Sequence, residues 1–153
     1  MEPLDWAFLP FKRYFDFSGR SSRAEYWYFT ALMWFLSLLI LLGEMMLGKA
    51  AEGVLAVLNS LFGLVTLIPS LAVAVRRLHD INRSGFVLLK YGFAVGVILV
   101  LLVPAAFLGT FGVGLLVLAA IVVCVKFLIL MVLEGDPGPN LYGPNPYGLT
   151  YGF

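Results

Sequence analysis

Histidine and cysteine are nearly missing from this chain: His79 and Cys124 are the only ones among 153 residues. A lone cysteine excludes an internal disulfide, and a single histidine argues against a protein-built metal centre or histidine-based acid–base catalysis. Charge is scarce as well. Asp, Glu, Lys and Arg make up 12% of the chain, about half the share of an ordinary soluble domain. Ten basic and nine acidic residues leave a net charge of +1, so the chain lacks the field that draws a protein to nucleic acid. Internal repeats are absent, and the length bounds the chain to one domain, residues 1–153.

What is abundant is apolar. Such residues make up 61% of the chain and the mean hydropathy is +0.98, which excludes both disorder and an ordinary soluble fold. They fall in four runs, residues 26–47, 54–75, 86–108 and 112–133. Each would form a helix about 33 Å long at 1.5 Å per residue, enough to cross a hydrocarbon core of about 30 Å. No run carries the polar face of a soluble amphipathic helix. The predicted fold is an all-α integral membrane protein: four transmembrane helices, an interfacial N-terminal segment and an irregular tail over residues 134–153. The first run begins only at Tyr26 and is too long for a signal-peptide core, so a permanent helix is expected there.

The basic residues give a direction. Lys12, Arg13, Arg20 and Arg23 precede the first span, Arg76, Arg77 and Arg83 connect the second to the third, and Lys90 lies one turn inside the third. The opposite side offers only Lys49, flanked by Glu44 and Glu52, and an uncharged connection from Gly109 to Phe111. The positive-inside rule then predicts both termini in the cytoplasm of a bacterial inner membrane.

Local chemistry refines the boundaries. Ser22-Arg23-Ala24-Glu25 reads as a capping box that starts the first span. Residues 5–17 mix Trp6, Phe8, Phe11, Tyr14, Phe15 and Phe17 with Asp5, Lys12, Arg13 and Asp16, which would share one sector if wound as a helix. Two readings fit: a helix lying in the interface and bent by Pro10, or an aromatic belt beside the first span. The dense Pro and Gly of residues 135–146 exclude a helix or central strand.

Within the spans, Gly92-x-x-x-Gly96 predicts close helix packing. Pro69 and Pro104 free the carbonyls of Val65 and Val100. Polar groups are few: Ser37, Asn59, Thr66 and Lys126. Lys126 lies seven residues before Leu133, about 10 Å from the inner end. Snorkelling toward lipid phosphate or a carboxylate such as Glu25 or Asp80 is expected of it, ahead of a part in ion movement.

The concentrated signal lies at the inner interface. Residues 15–27 read Phe-Asp-Phe-Ser-Gly-Arg-Ser-Ser-Arg-Ala-Glu-Tyr-Trp, residues 69–80 Pro-Ser-Leu-Ala-Val-Ala-Val-Arg-Arg-Leu-His-Asp, and residues 138–144 Gly-Pro-Asn-Leu-Tyr-Gly-Pro. With the Arg83-Ser84-Gly85 step, these stretches resemble the bacterial family known as domain of unknown function 805, over nearly the whole chain. Phe86 stands where that pattern usually has Trp, and Leu141 where a basic residue is common. The resemblance implies a small polytopic inner-membrane protein and brings no established activity.

From the residues themselves, Arg20, Arg23, Arg76, Arg77 and Arg83 are expected at one depth with Glu25, His79 and Asp80, where planar guanidinium forks suit carboxylates or phosphates. Asn140, Tyr142 and Gly143 form the tail motif. His79 and Asp80 are not an acid–base pair, because neighbours on a helix point about 100° apart. No catalytic residue, metal or cofactor is implied. The leading expectation is a non-enzymatic binding or scaffold module whose basic cytoplasmic face meets anionic lipid headgroups, a second copy of itself or another membrane protein. A small oligomeric transporter or channel is the alternative, and a lipid-modifying enzyme the third.

Overall fold

A computed structural model describes residues 2–48 and 52–147; Lys49 and the tail from residue 148, with Phe153, lie outside the described residues. The described elements are α1 (Pro3–Lys12), α2 (Arg23–Leu47), α3 (Glu52–Asp80), α4 (Phe86–Ala105), a 3-10 turn (Ala106–Leu108) and α5 (Gly109–Val132). Helices α2 to α5 are long and apolar enough to cross a membrane. They form two antiparallel hairpins, α2 with α3 and α4 with α5, and α1 packs beside α2.

The helix ends differ from the sequence expectation for local reasons. Helix α2 starts at Arg23 because Ser22 is its N-cap, its side chain accepting from the Glu25 amide at 3.1 Å. The reciprocal half of the capping box is replaced: the Glu25 carboxylate binds Arg76 instead. Helix α3 runs past residue 75 to Asp80, so Arg76 and Arg77 sit on its last turns rather than in a connection. A Schellman motif stops it, with Asn82 at φ 55°, its amide on the His79 carbonyl, and the Arg83 amide on that of Leu78 at 2.9 Å. Between α4 and α5 the chain reverses within the 3-10 turn and Gly109, whose φ of +74° suits glycine; α5 therefore begins three residues before the expected Gly112.

Residues 5–17 are only partly helical. Helix α1 ends at Lys12, Arg13 is its C-cap and Asp16 lies in the following loop, so these charges do not form one helical sector. Pro10 is buried within α1, and Phe11 meets Phe29 of α2 edge to face at 5.5 Å. The N-terminal segment is thus fastened to the bundle.

The buried apolar cluster, made of Tyr26, Phe29, Met33, Val73, Ala74, Leu78 and Met131, gathers at the charged end of the hairpins. Elsewhere the spans are bare: only 0–11% of the most apolar stretch of each is buried. Gly92 and Gly96 follow this pattern. A Cβ on either would meet nothing within 4 Å, so the close approach expected there does not occur within the described chain. Helix α4 meets α5 through Tyr91 and Phe127 instead, with ring centroids 5.4 Å apart.

One freed carbonyl has found a donor. The Tyr14 hydroxyl donates to Val65 at 2.7 Å, the acceptor left open by Pro69. Tyr14→Phe should therefore cost about 1 kcal/mol in thermal denaturation in detergent. The loss should shrink in a Pro69→Ala background, where the backbone amide of residue 69 can reclaim the carbonyl. Equal losses in both backgrounds would disprove the pairing.

Candidate functional site: an arginine–carboxylate cluster

Three guanidinium groups leave the charged end of the bundle in different directions, and each ties a distant segment to α3. Arg76 donates to Glu25 on α2 and to the Ser21 hydroxyl, both at 2.8 Å, and to the carbonyls of Asp16 and Arg13. The Ser21 amide returns a bond to the Arg76 carbonyl at 3.1 Å. Arg77 points elsewhere, as its helical neighbour must. It donates to Asp80 at 2.5 Å, to the Met131 carbonyl at 3.1 Å and to that of Leu133. It thereby caps the C-terminal carbonyls of α5, which have no partner within their own helix.

Arg20 fastens the tail. Its Nε donates to Asp80 at 2.9 Å, Nη1 to the Gly138 carbonyl at 2.7 Å and Nη2 to that of Asp136 at 2.6 Å. The Asp136 amide in turn donates to the Asp80 carbonyl at 2.9 Å.

These groups are deeply buried: Arg76 and Arg77 are 0% exposed, Glu25 1%, Asp80 2% and Arg20 5%. Three cations face two anions, and main-chain carbonyls from four segments accept from the guanidinium nitrogens as well. Among the described residues no buried side-chain nitrogen or oxygen lacks a partner. Burial without partners would expel such charges; here each guanidinium nitrogen has a partner within the chain.

The tail motif completes the arrangement. Asn140 donates to the His79 carbonyl at 2.9 Å and to Asp136 at 3.0 Å, and accepts from the Tyr142 amide at 2.9 Å. Asn140 and Gly143 exchange backbone bonds across the turn, with Gly143 at φ 128°. The turn lays the Tyr142 ring flat on His79, centroids 3.8 Å apart and planes 4° from parallel. His79 Nδ1 lies 3.0 Å from the Gly19 carbonyl, an acceptor, so Nδ1 carries the proton. His79 and Asp80 thus serve separate partners.

The remaining sequence candidates lie outside the buried set. Arg23 touches Glu134 at 3.4 Å, the arginine partly and the glutamate largely in solvent, and Arg83 is exposed. Lys126 is exposed on α5 and pairs with neither Glu25 nor Asp80, whose carboxylates the arginines hold.

Other participants escape sequence reasoning. Asp16 accepts from the Ser18 hydroxyl at 2.6 Å and from Arg13 at 2.9 Å, which lowers its pKa to about 2. The Asp-x-Ser spacing of this turn was the readable signal. Gly135 lies so close to Asp80 that a Cβ there would sit 2.0 Å from Oδ2. Only a residue without a side chain fits, and nothing local in the sequence marks it among the surrounding glycines. Among the described residues no three His, Cys, Asp or Glu side chains gather where a metal ion could be held.

Comparison with known proteins gives the same extent as the structural cluster. The model of a family described as a protein of unknown function, DUF805, matches residues 14–144, from the start of the N-terminal loop to the end of the tail turn. Inner membrane protein YhaI of Escherichia coli (strain K12) is 34% identical over 143 residues, covering 94% of this chain and 96% of its own. Inner membrane protein YhaH of the same strain is 30% identical over 146 residues, covering 94% and 97%. The uncharacterized protein YiiR is 39% identical over 72 residues, 46% of this chain and 45% of its own. No solved structure matches. From the tail turn back to the Tyr14 loop, this four-span membrane protein belongs to the DUF805 family of unknown function.

Proposed function

We propose that the chain is a non-enzymatic scaffold of the inner membrane. Its arginine–carboxylate cluster forms a rigid cytoplasmic cap, and its thinly packed spans are presented to lipid or to partner helices. The observation that carries this reading is the inward commitment of Arg20, Arg76 and Arg77: each of their guanidinium nitrogens is hydrogen-bonded within the chain, as a structural joint requires. Lys12, Arg83 and Lys90 are exposed at the same end, beside the exposed Phe8, Phe15 and Phe86. This mixture of cations and rings suits an anionic headgroup layer.

Orientation is tested by reporter fusions after residue 153 and within residues 48–53; both termini are expected in the cytoplasm, and a periplasmic C-terminus refutes the cap. Lipid recognition is tested in nanodiscs with and without phosphatidylglycerol. The anionic lipid should raise the melting temperature. Lys12→Gln, Arg83→Gln and Lys90→Gln together should remove that gain, at about 1 kcal/mol per cation. Turnover of a lipid, or ion flux in liposomes, would replace the scaffold reading.

A further inference from the structure

A cavity of about 230 Å³ opens between the start of α2 and the end of α5, walled by Arg20, Arg23, Asp80, Glu134, Asp136 and Tyr147. Its inner charges are committed, Arg20 to Asp80 at 2.8 Å. Its outer charges are not. Arg23 and Glu134 face each other at 3.4 Å with side chains 44% and 86% exposed, and an ion pair that open to water adds little. Asp136 spends one carboxylate oxygen on Asn140. Both rims lie where helices leave the apolar layer: Arg23 is the first residue of α2, and Glu134 follows Val132, the last of α5, by two.

We propose that this cleft binds a phosphate and a primary ammonium joined by a short spacer, the ethanolamine phosphate group, either as a phospholipid headgroup or as the free compound. As a lipid headgroup, with one charge of each sign, the group exchanges one weak ion pair for two without changing the net charge of the cleft. The free compound is a phosphomonoester and brings up to about one further negative charge near neutral pH. The phosphate takes the Arg23 fork, aided by the positive end of the α2 dipole. The ammonium, with three N–H donors, takes Glu134 and Asp136. An anionic phosphodiester alone would meet those carboxylates unfavourably, and a trimethylated amine has no N–H to give them. The volume lies below the range of about 300–1,000 Å³ typical of pockets for larger ligands, which suits a headgroup. The site is separate from Lys12, Arg83 and Lys90 and stands whether or not those cations bind anionic lipid.

The test uses the full chain in detergent and native mass spectrometry, titrating phosphatidylethanolamine, phosphatidylcholine and phosphatidylglycerol of equal chain length, with soluble phosphoethanolamine as competitor. Phosphatidylethanolamine should bind about tenfold more tightly than the other two. Arg23→Gln and Glu134→Gln should each abolish most of that preference with the melting temperature unchanged, since both side chains lie outside the buried cluster. The triple variant at Lys12, Arg83 and Lys90 should retain the preference. Displacement by phosphoethanolamine makes the free compound a ligand, and its failure to compete assigns the site to the bilayer lipid. Equal affinity for all three lipids with no phosphoethanolamine binding, or a preference that survives both single variants, overturns the proposal.

Discussion

Glu25→Gln should destabilise the protein by about 3–5 kcal/mol, the usual cost of leaving a buried charge without its partner. Arg76 has no exposed surface and its carboxylate partner lies 2.8 Å away. Removing the negative charge strands it beside Arg13, whose guanidinium is itself 3.8 Å from Glu25. Arg76→Met should destabilise comparably, and the double variant should cost less than the sum of the two, with a coupling of about 0.5–3 kcal/mol. Asp16→Asn provides the contrast. Its pair with Arg13 is about one-third exposed on both sides, so its charge contributes about 0–1 kcal/mol. Tryptophan fluorescence during thermal denaturation in detergent reads all four variants. A Glu25→Gln protein as stable as the Asp16→Asn protein would show that the pair does not hold the bundle.

Gly135→Ala should be as damaging as any substitution of a charged residue. The new methyl group would lie 2.0 Å from Oδ2 of Asp80 and 2.5 Å from its Cγ, so either the carboxylate or the tail must move. Displacing Asp80 weakens its bonds to Arg20 and Arg77 together, and a loss of about 3–5 kcal/mol follows. Displacing the tail instead breaks the Asp136–Asp80 backbone bond and the Arg20 bonds to Asp136 and Gly138. Limited proteolysis distinguishes the two routes, since only the second exposes residues 136–147. Gly138→Ala is the control, because a Cβ there meets nothing within 4 Å. Equal stability of the two variants would contradict the crowding at Gly135.

The spans were legible because a bilayer demands long apolar runs, and the four runs coincide with α2 to α5 to within a few residues at most ends. The largest departure, the extension of α3 from residue 75 to Asp80, arose because hydropathy marks where lipid ends and hydrogen bonding marks where a helix ends. Arg76 to Asp80 satisfy the second condition and not the first. The charged residues of the cluster were visible as residue types, yet their division was not. Arg23 and Arg83 resemble Arg20 and Arg76 in sequence; only the fold turns two outward and two inward. Gly135 was invisible because its constraint comes from Asp80, a residue 55 positions away. The paired glycines of α4 show the reverse case, a local pattern whose expected contact is not made within the described chain.

The bonds of Arg20 have a consequence for how the protein is made. Arg20 finds its carbonyl acceptors 116 and 118 positions further along the chain, and Arg77 finds those of α5 54 and 56 positions on. A ribosome that has delivered the first two spans has produced both guanidiniums and their shared carboxylate partner Asp80, but not the later carbonyls that take their other donors. Closure of the joint therefore waits for the tail, and a chain cut short before Gly135 carries all four spans and the Arg20–Asp80 pair but lacks the carbonyls of Asp136 and Gly138 that complete it.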